Sequence, residues 1–235
     1  MIGYINAIQT LGCVDGPGVR VVVFLQGCNL RCKCCHNPET WQKNIGTEYT
    51  AIDLVEKVLK YKPYFGQNGG VTLSGGEPLL QAEFAFEFFT LCKQYDIHTC
   101  LDTSGSILTD DIKKVLSVTD LVLLDIKYTN NLDYVTNVGC TLSSVLQFLE
   151  YLHKQQIATT VRHVIIPHIN DTLDSLARLK VILKKYNMVD QVEFLPFSNL
   201  CKTKYDSLNL VFPFAQIEDL DYEKLTNFYK LYYES

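Results

Sequence analysis

Short β-branched segments alternate with helix-patterned ones along this chain, and no other feature restricts its fold so strongly. The strand candidates are Arg20–Gln26, Val71–Ser74, His98–Asp102, Asp120–Lys127, Ala158–Ile166 and Gln191–Phe197. Several are apolar runs without strict polar alternation, as expected of strands covered on both faces. Between them, Thr50 is placed to cap a helix whose Ile52, Val55, Val58 and Leu59 share a face, with Asp53 in its first turn. Leu80, Phe84, Phe88 and Leu91 recur at helical spacing, as do Val145, Phe148, Leu149 and Leu152, then Leu176, Leu179 and Leu183. A last helix is expected over Tyr222–Tyr233, packing through Leu225, Phe228, Tyr229 and Tyr232. Repeated β-α order calls for an α/β fold with a parallel sheet. About six units imply a partial (β/α)6-type barrel, open rather than a complete eight-fold barrel. With no internal repeat and no linker rich in Pro, Gly and Ser, residues 1–235 read as one domain. In either barrel the chemistry belongs at the C-terminal ends of the strands.

Composition removes several function classes. A chain 47% hydrophobic and 20% charged does not belong with disordered proteins. No apolar run approaches the ~20 residues of a membrane helix, and Met1–Asn6 carries no basic-then-apolar export pattern, so no membrane role is expected and a cytoplasmic location is. A net charge of −5 gives no excess for binding a phosphate backbone, so no nucleic-acid partner is expected.

The nine cysteines are the chemical anomaly. An odd number without an export signal points to a reducing compartment, where thiols serve metals or catalysis. Four fall close together, at Cys28, Cys32, Cys34 and Cys35, directly after the first strand candidate. Cys28, Cys32 and Cys35 form C-x3-C-x2-C in a loop opened by Gly27 and closed by Asn37-Pro38. Nine cysteines placed at random give about 0.013 matches to one fixed three-cysteine spacing. Arg31 and Lys33 would help offset thiolate charge. Three readings stand at this point: a Cys3His zinc site using His36, a redox thiol pair, and an iron–sulfur cluster with three protein ligands and one open iron.

The second strand candidate runs into Ser74-Gly75-Gly76-Glu77-Pro78, where paired glycines permit close backbone approach and Glu77 adds a carboxylate. Taken together, C-x3-C-x2-C and Gly-Gly-Glu-Pro resemble the radical S-adenosylmethionine (SAM) enzymes. More closely, the chain is similar to the pyruvate formate-lyase activating enzymes, the activases of a glycyl-radical enzyme. The likeness rests on Val14–Arg20, Gln26–Cys28, Cys35–Trp41, Ser74–Glu77, Leu80–Phe84, His98–Gly105 and Leu124–Lys127, and it weakens after about Ser198.

The resemblance implies that Cys28, Cys32 and Cys35 hold a [4Fe–4S] cluster whose fourth iron binds SAM. One electron would cleave SAM, and the resulting 5′-deoxyadenosyl radical would take a hydrogen from one glycine of the partner enzyme. It also implies that Gly75, Gly76 and Glu77 contact the amino end of SAM, and that His36 and Asn37 lie beside it. Asp102, Asp125, Ile126 and Lys127 end strands, where contacts to SAM or to a monovalent cation are expected. Arg162, a charge within the apolar run Val161–Val164, is a ligand candidate; the plainer reading of these charged residues is a mutually paired polar cluster. The expected partners are pyruvate formate-lyase and, as electron donor, flavodoxin or ferredoxin.

Two positions depart from the family pattern. The residue before the last cluster cysteine, usually aromatic and near the adenine, is Cys34, and the histidine often found after Leu195-Pro196-Phe197 is Ser198. Only 39 residues, none of them cysteine, separate Cys35 from Gly75, which favours the short type over activases carrying inserted clusters. Other glycyl-radical enzymes remain as partners, and a zinc-stabilised binding module remains as the non-enzyme reading.

Overall fold

A computed structural model describes residues 1–234. The strands are β1 (Ile2–Gly12), β2 (Arg20–Leu25), β3 (Thr47–Thr50), β4 (Gly70–Gly75), β5 (His98–Thr103), β6 (Leu121–Asp125), β7 (Ala158–Ile165) and β8 (Val189–Pro196). They form one open sheet in the order β3-β1-β2-β4-β5-β6-β7-β8. From β2 through β8 every pairing is parallel, so the six anticipated β-α units are present. β1 and β3 add an antiparallel extension that the sequence reading did not contain. Neither is an apolar run: β3 reads Thr-Glu-Tyr-Thr with no buried residue, and β1 buries little besides Gly3, Ile5 and Gly12. Such strands, β3 at the sheet edge and β1 next to it, are specified by pairing to a neighbour rather than by local pattern.

The helices are α1 (Ala51–Leu59), α2 (Ala82–Gln94), α3 (Asp110–Leu116), α4 (Asn131–Asn137), α5 (Leu142–Gln155), α6 (Leu173–Leu183), α7 (Lys202–Ser207) and α8 (Tyr222–Tyr233). Most open on a side-chain cap: Thr50, Thr109, Asn130, Thr141, Thr172 and Asp221 each accept a backbone N–H of the first turn. In α1 the buried stripe is Ala51, Leu54, Val55 and Val58, whereas Ile52 is 58% exposed. Ile52 lies ~100° around the helix from Ala51, so the stripe that meets the sheet turns it to solvent.

Alternation along the strands divides the interior. Leu124, Ile126, Val161 and Leu101 point into the large core shared with the helices. The opposite face carries a small apolar group, Cys100, Leu121 and Leu123 with Ala158 against it. The segment between β1 and β2 lies against this face. Thr72 Oγ1 donates to the Asp15 carbonyl at 2.6 Å, and a Cβ on Gly16 would come within 3.2 Å of Cys100 Sγ. Arg20, fully buried, pins the segment by donating to the carbonyls of Pro17 (2.7 Å), Asn68 (3.2 Å) and Val71 (2.7 Å) and to Thr72 Oγ1 (2.8 Å).

Candidate active site

Beyond the C-terminal ends of β2, β4, β5, β6 and β7 lies a cavity of about 390 Å³. Cys28, Cys32, Cys34 and Cys35 form one wall; Asp102, Asp125, Lys127 and Arg162 line another. His36, Asn37, Gly75 and Gly76 also border it. Residues separated by up to 134 positions therefore meet in one cavity at the predicted end of the sheet.

Two sequence-expected site residues do not reach it. Glu77 is 1% exposed and faces the end of β5 instead. Its carboxylate accepts from Thr103 Oγ1 (2.7 Å), Ser104 Oγ (2.5 Å), Ser104 N (3.0 Å) and Leu79 N (3.2 Å). It ties the Gly-Gly turn to β5 rather than presenting oxygen to a ligand. Ile126 is excluded by alternation: Asp125 and Lys127 face the cavity, so the residue between them faces the core. Its N–H donates to the Arg162 carbonyl at 2.9 Å, and its carbonyl accepts from His163 Nδ1 at 2.5 Å.

The glycines have a packing reason. A Cβ on Gly76 would lie 2.2 Å from the Gly27 carbonyl oxygen, and one on Gly75 would lie 2.4 Å from the Leu25 backbone. Gly75 also has φ +117°, where a side chain is strained. The turn and the cysteine loop are thus clamped backbone to backbone, Glu77 N donating to Gly27 O at 2.8 Å and Gly76 N to Leu25 O at 3.0 Å.

The charged wall consists of two ion-paired groups, one around Arg162 and the pair Lys127–Asp125. Arg162 Nε donates to Glu193 Oε2 at 3.0 Å, and its Nη1 lies 3.6 Å from both Asp15 Oδ1 and Asp102 Oδ2. Arg162 Nη2 donates to the Val14 carbonyl. Asp102 also accepts from Ser74 Oγ at 2.7 Å, and Lys127 Nζ donates to Asp125 Oδ2 at 2.5 Å. The residues are mutually paired, as the plainer reading held, and they line the cavity as well. Burial pushes Asp102 up to about 6, against the pull of Arg162. Lys127 is held well above the ordinary lysine value: burial would lower it, but Asp125 and the thiols of Cys32 and Cys34 outweigh that.

Burial pushes all four loop thiols up, Cys28 and Cys34 to about 11. Two sulfurs already receive backbone donors, Leu30 N to Cys28 and Asn37 N to Cys35, both at 3.4 Å. Cys34 borders the cavity, buried beside Lys127. His36 Nε2 lies 3.1 Å from the Ser198 carbonyl, an acceptor, so that nitrogen carries the proton. Burial lowers the His36 pKa. Ser198 takes no place on the cavity wall; its hydroxyl contacts Asp219 Oδ2 at 3.3 Å and caps Leu200 N at 3.3 Å. Among the described residues, no three His, Cys, Asp or Glu side chains converge on the position of a single metal ion.

Residues 22–179 match the radical SAM superfamily. The chain belongs to that superfamily. It is 43% identical over 225 residues to the pyruvate formate-lyase-activating enzyme of Clostridium pasteurianum, covering 95% of this chain and 94% of that protein. It is 41% identical over 208 residues to the pyruvate formate-lyase 1-activating enzyme of Escherichia coli K12, covering 87% and 85%. Within the superfamily it belongs to the family of pyruvate formate-lyase-activating enzymes. The fold is shared with Streptococcus suis SuiB bound to S-adenosylmethionine, at TM-score 0.67 and 15% identity over 86% of this chain and 44% of that one. A domain of pyruvate-formate lyase-activating enzyme from Bacteroides vulgatus has TM-score 0.59 and 19% identity, over 71% and 94%. The superfamily implies a [4Fe–4S] cluster and SAM, and the donor set fits: three thiols border one cavity, two of their sulfurs already faced by backbone N–H groups.

Sequence reading passed over Ser74, Thr103, Ser104 and Trp41 as site residues, although all four border the cavity. Ser74 shares the parity of Thr72 on β4, opposite to the core-facing Val71 and Leu73, a signal that was available. Trp41 gave none beyond its place in the family motif.

Proposed function

We propose that this chain is a glycyl-radical-enzyme activase acting on pyruvate formate-lyase. The observation that carries this reading is the meeting of the cysteine loop with Asp102, Asp125, Lys127 and Arg162 on one cavity at the strand ends. Cys28, Cys32 and Cys35 would hold the cluster, with Cys34 lying against it. When bound, the cluster and SAM supply a low-potential electron and the 5′-deoxyadenosyl radical that takes the hydrogen from the partner's glycine.

The chain's own residues bind, orient and exclude. Lys127, beside Cys32 and Cys34, offsets thiolate charge. Gly75 and Gly76 let the turn approach the cysteine loop, leaving the wall narrow where the amino end of SAM is assigned. Asp102 and Asp125 present carboxylates for the cationic part of SAM or for a monovalent cation, and Arg162 fixes Asp102. His36 and Asn37 border the same space. Glu77 acts from behind, holding the turn. We assign residues 1–235 to one domain, with flavodoxin or ferredoxin as electron donor and a cytoplasmic location. No helix among the described residues is long and apolar enough to cross a membrane.

The test is anaerobic reconstitution with iron and sulfide, then addition of a reductant, SAM and pyruvate formate-lyase. A brown protein that cleaves SAM and generates a glycyl radical, seen by electron paramagnetic resonance, is expected. A colourless protein carrying one zinc would refute the enzyme reading. SAM cleavage with radical formation only on another glycyl-radical enzyme would reassign the partner alone.

A further inference from the structure

β8 is the last strand of the sheet, so one of its sides has no strand beside it. The backbone groups on that side are bonded all the same. Tyr233 Oη accepts the Val192 N–H at 3.0 Å and donates to the Val192 carbonyl at 3.2 Å. Tyr229 Oη does the same for Phe194, at 3.0 and 3.3 Å. Two periods match here: four residues of helix rise ~6.0 Å, and two residues of strand span ~6.6 Å. The two tyrosine rings stack with centroids 6.4 Å apart. Pro196, two residues beyond Phe194, has no N–H to offer. Glu193 alternates to the other face and holds Arg162 Nε at 3.0 Å, so the clamped stretch also supports the cavity wall. Helix α8 is otherwise lightly held, and among its described residues only Phe228 is buried. The Phe194 ring meets Phe228, Tyr229 and Tyr232 at centroid distances of 6.1, 5.2 and 5.4 Å, and Lys180 donates to the Leu231 carbonyl at 2.8 Å.

We propose that α8 is a closure over the β8 edge, its Tyr229 and Tyr233 hydroxyls standing in for a neighbouring strand, and that the uncovered edge pairs with the β8 edge of a second copy of this chain. An uncovered edge strand is a template for another strand. This edge is complementary to itself. In an antiparallel pair about a two-fold axis, Val192 of one copy faces Phe194 of the other, and each such pair exchanges two backbone hydrogen bonds. That arrangement satisfies every donor and acceptor that the hydroxyls now serve. The opposite edge strand, β3, is four residues long and carries Glu48, which suits it poorly to such pairing. The closure therefore holds β8 in place and keeps the chain apart from its own copies, whether or not a cluster is bound.

The double variant Tyr229→Phe, Tyr233→Phe removes both hydroxyls and keeps both rings. The full chain would be studied under anaerobic, reducing conditions, by sedimentation velocity over a concentration series and by residue-resolved hydrogen exchange. In the double variant at low concentration, the Val192 and Phe194 amides should exchange about tenfold faster than in the unaltered chain. As concentration rises the variant should dimerise and protection of the same two amides should return, while the unaltered chain stays monomeric. Tyr222→Phe, at an exposed position of the same helix, should change neither readout. Unchanged exchange in the double variant would overturn the closure. Faster exchange without a dimer, or a dimer that leaves both amides unprotected, would overturn the pairing. So would equal dimerisation of the unaltered chain. Should the double variant fail to fold, exchange of the unaltered chain in urea decides: Val192 and Phe194 should open together with the α8 amides, at lower urea than the amides of β7. Opening only together with β7 would overturn the closure.

Discussion

Arg162 holds Asp15, Asp102 and Glu193 together, and its replacement tests that ion-paired group most directly. Arg162→Met keeps a long apolar stem and deletes the guanidinium. The side chain is 8% exposed and lies 3.0 Å from Glu193 and 3.6 Å from Asp15 and Asp102. Removing one partner from a buried ion group costs ~3–5 kcal/mol, because the remaining charges stay buried without compensation. The pH dependence makes the expectation specific. Burial already pushes Asp102 up to about 6, and Arg162 is the main influence opposing it. An aspartate raised this far disfavours the folded state once it ionises. The penalty grows as pH rises from 3.8 to 6 and amounts to ~3 kcal/mol above that range. Without Arg162 the carboxyl binds its proton more tightly still. Each further tenfold in that affinity adds ~1.4 kcal/mol to the variant's deficit at pH 8 and almost nothing at pH 5, where Asp102 is protonated in both folded proteins. Urea unfolding of SAM-free protein should therefore show a deficit of several kcal/mol at pH 8 that shrinks by at least ~1.4 kcal/mol at pH 5. Equal deficits at the two pH values would refute the role given to Asp102. A deficit below ~1 kcal/mol at both would refute the ion-paired group.

Further expectations follow from single positions. His163, fully enclosed with Nδ1 donating to the Ile126 carbonyl, is pushed down to about 4 by burial. The unfolded chain takes up that proton first, so the stability from the neutral ring is present above pH 6.5 and is lost as pH falls to 4, by up to ~3 kcal/mol; His163→Asn should remove this slope in thermal unfolding against pH. Cys35→Ala should abolish iron loading after reconstitution while Cys34→Ala retains it, and equal loss in both would refute the ligand assignment. Gly76→Ala should displace the cysteine loop and sharply lower iron content, since its Cβ would lie 2.2 Å from the Gly27 carbonyl. Gly139→Ala, at φ +93° with no atom within 4 Å, should cost ~1–2 kcal/mol in urea unfolding and leave iron content unchanged.

What could be read from the sequence divides along physical lines. The six parallel strands were legible because burial on both faces demands apolar runs, as in Arg20–Leu25 and Leu121–Asp125. β1 and β3 were not, since strands with few buried residues are chosen by their pairing partners. Cysteine spacing carried the thiol wall, because side chains of one short loop must lie close together. Parity could have excluded Ile126, which alternates with Asp125 and Lys127. Glu77 could not have been excluded in this way: its orientation depends on Thr103 and Ser104, which reach it only through the fold. For the same reason α7 and its contacts to Cys35 and Asn37 left no trace in the local pattern.

The cavity's charge balance bears on what it binds. Among the described residues, four carboxylates, Asp15, Asp102, Asp125 and Glu193, pair with Arg162 and Lys127; Asp102, Asp125, Arg162 and Lys127 line the cavity, while Asp15 and Glu193 hold Arg162 from outside its lining. A closed structural network of buried charges is expected to balance, since each uncompensated charge is costly. Burial raises Asp102 to about 6 even with Arg162 alongside, and the neighbouring Asp125 and Asp15 add to the shift. A ligand that brings positive charge to this wall would relieve the strain and draw the Asp102 pKa down, so binding should release protons near pH 6. SAM, with its sulfonium and α-ammonium groups, is such a ligand, and a monovalent cation is another. Titration calorimetry in buffers of different ionisation enthalpy separates this from a neutral fit. Proton release that peaks near pH 6 and disappears in Asp102→Asn is expected, whereas binding without proton exchange would mean that the carboxylate wall does not face the cationic part of the ligand.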